Sequence, residues 1–190
     1  MGQPVSIAAT DIEDVLLIET TVFRDMRGFF TETYSAKTWG AAGLEVSFVQ
    51  DNLSKSAKGT LRGMHYQLAP HAMGKLIRAV TGALFDVAVD LRRGSPTFGK
   101  WVGRVLSAEN GLAMWIPEGF AHGFIALEDE TLAYYKCTNF YAPEAERAII
   151  YNDPEIGIEW PIEPASISQK DAAAPTLEHA EFNFVYDPGA

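Results

Sequence analysis

The chain has 190 residues and a formal net charge of -10, a balance that excludes a nonspecific nucleic-acid binder, whose affinity comes from neutralising many phosphates. Its single cysteine, Cys137, rules out an intrachain disulfide, and one cysteine with four histidines cannot build a cysteine-rich zinc site. The opening stretch holds Asp11, Glu13, Asp14 and Glu19 without a basic residue before Thr20, unlike a signal peptide, and no apolar run reaches membrane-span length, so one soluble, cytoplasmic domain over residues 1–190 is expected.

In chain order, a strand is predicted at 15–19 and a short helix over 35–42, with Ser35 as N-cap and Gly43 as stop. Strand patterns then follow at 46–53, 61–67, 75–81, 83–91, 98–107, 112–116, 121–127, 132–139 and 147–151. The alternation is clearest in 83–91, with Phe85, Val87, Val89 and Leu91 on one face and Asp86, Ala88 and Asp90 on the other. Turns at Lys58-Gly59, Thr81-Gly82, Arg93-Gly94-Ser95-Pro96 and Pro117-Glu118-Gly119 divide the runs. A second short helix is predicted near 168–173, and the Pro-rich tail after Asp153 is expected to wrap the body. Many short strands at this spacing define an all-β sandwich or barrel with a few short peripheral helices, without repeats or linkers.

Two histidines carry the chemistry. Arg62-Gly63-Met64-His65 lies in a strand, where side chains three apart face opposite ways unless Gly63 permits a bulge that turns both into one cavity. Taken alone, His65 reads as an ordinary half-buried histidine. The stretch Pro117-Glu118-Gly119-Phe120-Ala121-His122 resembles the second motif of cupins, which are jelly-roll barrels. Metal-binding cupins place a pair of histidines one residue apart on an earlier strand and add a carboxylate. Here that stretch is His65-Tyr66-Gln67, followed downstream by Lys75 in place of a glutamate, so a cupin-type jelly roll with no metal and no cofactor is expected.

An ordered set of segments then resembles the dTDP-4-dehydrorhamnose 3,5-epimerase family. They are Asp25-Met26-Arg27-Gly28-Phe29-Phe30-Thr31-Glu32, Phe48-Val49-Gln50-Asp51-Asn52, Leu61-Arg62-Gly63-Met64-His65-Tyr66-Gln67, Gly74-Lys75-Leu76-Ile77-Arg78, Phe85-Asp86-Val87-Ala88-Val89-Asp90-Leu91-Arg92, Ile116-Pro117-Glu118-Gly119-Phe120-Ala121-His122-Gly123-Phe124, Tyr135-Lys136-Cys137-Thr138, Asn152-Asp153-Pro154 and Ser168-Gln169-Lys170-Asp171. Met64 and Met73 depart from the usual leucine and glutamine.

The resemblance implies a dTDP-4-keto-6-deoxy sugar as substrate and proton transfer beside its ketone. In that reading His65 is the base, Asp171 orients its imidazole, Tyr135 is the acid and Lys75 supports the enolate oxygen. Strand alternation places Tyr135 with Ala133 and Cys137, and its rival Tyr134 with Leu132 and Lys136. His122 is implied as a partner of a sugar hydroxyl or the oxyanion. Arg27 and Arg62 match diphosphate-binding positions, Gln50 and Asn52 a nucleotide-sugar hydrogen-bonding pair, and Glu32 and Tyr141 positions near the thymidine. Phe23 and Phe29 are candidates to close the pocket, with apolar core as the default for each. The family's N-terminal strand crosses to a second subunit, which implies a homodimer. A 3-epimerase of related sugars, a metal-dependent cupin and a noncatalytic sugar-nucleotide binder stand as alternatives.

Overall fold

The computed structural model describes residues 5–189; Met1 to Pro4 and Ala190, at the ends of the expected domain, lie outside the described residues. The strands are β1 (Val5–Ala9), β2 (Leu16–Thr20), β3 (Val22–Asp25), β4 (Gly28–Thr31), β5 (Gln50–Ser56), β6 (Thr60–Gln67), β7 (Lys75–Thr81), β8 (Ala83–Asp90), β9 (Trp101–Ser107), β10 (Leu112–Ile116), β11 (Phe120–Ala126), β12 (Thr131–Cys137), β13 (Glu146–Ala148) and β14 (Ser166–Ile167). Two short helices, α1 (Ala36–Ala41) and α2 (Gln169–Ala172), lie between them.

One sheet runs β1-β2-β10-β7-β12-β5 and the other β13-β6-β11-β8-β9. Their pairings are antiparallel, and β14 adds to β6 in parallel. This is the expected all-β jelly-roll barrel. Between the sheets lies a core of Ile77, Ala79, Leu84, Ala88, Met114, Phe120, Phe124 and Ala133. A second core, with Met64, Val87, Val89, Leu91, Leu177 and Phe184, seals the outer face of the second sheet beneath the tail, as expected of that segment. Strand β8 is therefore buried on both faces, and its side bearing Asp86 and Ala88 looks inward. A third core packs Trp39 of α1 on Leu76, Ala113 and Trp115, on the outer face of the first sheet.

The helix ends follow their capping residues. Ser35 Oγ accepts from Thr38 N at 3.3 Å, and Ser168 Oγ accepts from Asp171 N at 3.1 Å. Gly43, at φ +95°, continues the chain where a side chain would be strained.

Several sequence-based boundaries shift. The strand expected from 46 begins at Gln50, because Phe48 instead packs edge-on against Tyr34 and Trp115. The strand expected from 98 begins at Trp101, since Ser95 and Thr97 turn back to donate to the Asp90 carboxylate. The strand expected at 132–139 ends at Cys137, because Thr138 is committed to Gly74, accepting from its N–H through Oγ1 at 2.9 Å. Strands β1, β3, β4 and β14 were not anticipated, and the strand expected at 147–151 is present as β13, Glu146–Ala148.

The hairpin of β3 and β4 forms a separate two-stranded sheet, its turn held by Asp25 accepting from Arg27 N at 2.8 Å. Phe23 and Phe29 are 50% and 64% exposed, which corrects the default that both belong to an apolar core. Among the described residues their strands pair only with each other, and no second layer covers them.

Candidate active site

The site is organised by one extra residue in β6. His122 is the register partner of His65, and Phe124 that of Arg62, so two residues separate the positions on β6 against one on β11. This is the bulge that Gly63 was expected to allow. Gly63 has φ +139°, and a Cβ there would lie 2.5 Å from Gly123 Cα, so only glycine fits. Arg62 and His65 consequently line one cavity of about 460 Å³, together with Ser54, Lys75, His122, Tyr135, Lys170 and Asp171.

Asp171 arrives from the tail on α2 and is almost fully buried. Its Oδ1 lies 2.7 Å from His65 Nε2, and its Oδ2 accepts from Gly63 N at 3.3 Å. Burial tends to raise this carboxyl, but the His65 hydrogen bond and charge, helped by Gly63 and Ser168, hold it below the usual carboxylate range. An ionised partner at Nε2 leaves Nδ1 as the proton-accepting nitrogen.

The first sheet supplies the opposing groups. Lys75, Ile77 and Ala79 on β7, like Ala133, Tyr135 and Cys137 on β12, alternate inward. Tyr135 therefore faces the cavity, while Tyr134 turns outward and donates to Asp51 at 3.0 Å. Burial pushes the Tyr135 phenol above its ordinary value and pulls the Lys75 ammonium below its own. No hydrogen-bond or ion-pair partner holds Lys75 Nζ among the described residues, so its charge is presented to the cavity.

His122 sits deeper, its Nε2 2.8 Å from Asp86 Oδ1. Burial lowers the imidazole and raises the carboxyl, which favours the neutral pair, and Asp86 Oδ2 has no hydrogen-bond partner among the described residues. Asp86 was missed as a site residue; the available signal was a carboxylate sharing a strand face with small Ala88.

A second cavity, of about 330 Å³, shares His65, Lys75 and Tyr135 and adds Gln50, Asn52, Met73, Tyr141 and Glu146. Gln50 Nε2 donates to Asn52 Oδ1 at 3.1 Å, and Gln50 Oε1 accepts from Tyr141 N at 3.1 Å, which fixes the tyrosine's backbone. Gln67, at the position of the second cupin histidine, donates to the His71 and Phe140 carbonyls and accepts from Ala142 N, so its amide ties two loops. At the rim Glu146 pairs with Lys170 and accepts from Tyr141 Oη at 2.9 Å. Glu146 and Lys170 were also missed. They lie far apart in sequence and meet because β13 and α2 both flank β6.

Three expected positions stand apart from these cavities. Phe23 and Arg27 line a separate recess on the hairpin, where Arg27 is paired with Asp25. Glu32 accepts from Thr38 Oγ1 at 3.3 Å beside α1. Within one chain they do not join His65, because the hairpin projects from the barrel.

A jelly roll that sets a carboxylate-backed imidazole on one sheet against a half-buried phenol and ammonium on the other is an acid–base enzyme scaffold of the cupin type. Residues 9–179 match the family described as dTDP-4-dehydrorhamnose 3,5-epimerase, and the chain belongs to that family. The dTDP-4-dehydrorhamnose 3,5-epimerase of Pseudomonas aeruginosa is 56% identical over 172 residues, covering 90% of this chain and 94% of its own. That of Shigella flexneri is 53% identical over 178 residues, covering 93% and 98%. Among solved structures, the dTDP-6-deoxy-D-glucose-3,5-epimerase of Legionella pneumophila, in complex with dTDP-4-keto-L-rhamnose, superposes with a TM-score of 0.89 at 48% identity, covering 92% of this chain and 94% of that one.

Proposed function

We propose that this protein is an isomerase that inverts C3 and C5 of dTDP-4-dehydro-6-deoxy-D-glucose to give dTDP-4-dehydro-L-rhamnose, for dTDP-L-rhamnose biosynthesis in the cytoplasm. The observation that carries this reading is the opposition of His65, held by Asp171 at 2.7 Å, to Tyr135 and Lys75 of the facing sheet in one cavity. His65 removes the proton beside the ketone, and the C–H electron pair moves to the C4 oxygen as an enolate. Lys75, whose ammonium has no protein partner among the described residues, stabilises that charge. Tyr135, kept protonated by burial, returns a proton on the opposite face. His122 assists at the oxygen or a hydroxyl, and Arg62, Gln50, Asn52 and Tyr141 hold the nucleotide end.

The working unit in this proposal is a homodimer of one barrel domain per chain. Support comes from the projecting hairpin, whose Phe23, Met26, Phe29 and Phe30 are all exposed although they are large and apolar. A second subunit covering them would bring Phe23, Arg27 and Glu32 to the partner's site.

Incubating substrate in deuterated water and following the product by proton NMR tests the reading. Deuterium at both C3 and C5 is expected. Incorporation at neither would sink the proposal, and incorporation at C3 alone would select a 3-epimerase.

A further inference from the structure

Gln67 closes β6 two residues after His65, at the position where metal-binding cupins have their second histidine. It is 5% exposed, and the hydrogen bonds of its amide go to backbone groups. Nε2 donates to the His71 carbonyl at 2.7 Å and to the Phe140 carbonyl at 3.2 Å, and Oε1 accepts from Ala142 N at 2.8 Å. Both amide protons are thereby committed, so this side chain acts on the protein's own loops.

Two of those bonds bracket Tyr141. The Phe140 carbonyl belongs to the peptide unit before the Tyr141 Cα, and the Ala142 N–H to the unit after it. The first unit is also held from its other edge, since Gln50 Oε1 accepts from Tyr141 N at 3.1 Å. A peptide unit is planar, so fixing the two units that meet at one Cα fixes its φ and ψ and the direction of its Cα–Cβ bond. Tyr141 itself is 56% exposed, with its hydroxyl donating to Glu146 at 2.9 Å, so packing contributes little to its aim. The third bond, to His71, holds the loop that carries Met73, which lines the same cavity of about 330 Å³ as Tyr141.

We infer that Gln67 is a positioning residue for nucleotide binding: it aims the Tyr141 ring at the base of the bound nucleotide. The inference rests on the reading above that Tyr141 holds the nucleotide end. His65 and Tyr135 are placed by strand register instead, His65 against His122 and Tyr135 against Ile77. The loops that Gln67 ties therefore bear on binding and not on proton transfer.

Calorimetry with dTDP and with inorganic diphosphate, together with steady-state kinetics, on full-length Gln67→Glu and Gln67→Met tests this. Gln67→Glu keeps the length and one acceptor but turns an oxygen towards two carbonyls, and Gln67→Met removes the polar atoms. Both variants should bind dTDP about tenfold more weakly, with KM raised by a similar factor, as expected when buried backbone groups lose their partner. The change in kcat should stay below about twofold, and diphosphate, which has no base to stack, should bind as it does to the wild type. In a Tyr141→Ala background the same substitutions should weaken dTDP no further, because residues that act as one unit are not additive. Wild-type affinity for dTDP in both Gln67 variants would overturn the inference, whatever their melting temperatures, as would full additivity with Tyr141→Ala. Equal weakening of dTDP and diphosphate would show a general structural loss and overturn it too. Tyr141→Ala with wild-type affinity for dTDP would remove the nucleotide role on which the inference rests. Tyr141-dependent weakening of dTDP in a protein that exchanges no sugar proton would refute the epimerase reading and leave this one standing.

Discussion

His65 and His122 face each other as register partners on β6 and β11, and each imidazole is backed by its own carboxylate, Asp171 at 2.7 Å and Asp86 at 2.8 Å. The two pairs are electrostatically unequal. Asp171 is held below the usual carboxylate range, whereas burial raises Asp86 and lowers His122. Two charged imidazoles side by side would repel, so neutrality of the deeper pair lets the outer one accept a proton.

Asp171→Asn tests the outer pair. The amide keeps the size of the side chain but cannot stabilise the protonated imidazole. On the order of a 10²- to 10⁴-fold fall in kcat is expected, with KM nearly constant. Steady-state kinetics decides it, and an effect confined to KM would contradict the orienting role.

His122 has a signature in stability as well as in rate. Its pKa in the folded protein lies below the ordinary value of about 6.5. As pH falls through about 6.5 the unfolded chain takes up a proton and the native protein does not, so stability declines on acidification. Denaturant unfolding at several pH values between neutrality and mild acid should show this slope in the wild type and a flatter one in His122→Gln.

Lys75→Met should separate activity from stability. A half-buried ammonium without an ion-pair partner among the described residues disfavours folding, so the apolar variant should be at least as stable as the wild type. Its kcat should fall by about 10²- to 10³-fold, as when one oxyanion donor is removed. In the wild type, burial lowers Lys75 and raises Tyr135, and both shifts favour the lysine as the group that sets the alkaline limb of the rate profile. Tyr135→Phe should leave that limb in place; a shift of the limb in this variant would reassign it to the tyrosine.

Gly63→Ala forces a side chain into a left-handed backbone position 2.5 Å from Gly123 Cα. A loss of about 2 kcal/mol or more is expected in chemical denaturation, together with reduced kcat, because the bulge aims both Arg62 and His65. Wild-type turnover in a folded Gly63→Ala variant would show that the bulge is dispensable.

Subunit mixing tests the hairpin. His65→Asn has a disabled base and an intact hairpin, and Arg27→Ala the reverse. If the hairpin serves the partner's site, refolding the two inactive variants together should restore part of the activity in the mixed dimer. Simple addition of the two residual rates would mean that each hairpin serves its own barrel.

Most of the barrel was readable because its strands obey a period of two between glycine turns, and the same parity separated Tyr135 from Tyr134. The Gly63 bulge was readable too, since only a displaced register joins Arg62 to His65. What escaped was nonlocal. The rim pair of Glu146 and Lys170 depends on two segments flanking β6, and Asp86 looked like the polar side of an amphipathic strand until the tail covered the opposite face. The hairpin failed as core for a related reason: Phe23 and Phe29 have the composition of buried residues, but burial is a property of neighbours.

The entry of Asp171 from the tail gives the chain an order of maturation. β14 pairs with β6 and α2 delivers the carboxylate more than a hundred residues after the base it directs. On the ribosome, the strands that carry His65, Lys75 and Tyr135 emerge before the group that aims the imidazole. A nascent chain therefore presents His65, Lys75 and Tyr135 before Asp171 is available, and the imidazole gains its carboxylate when α2 docks against β6.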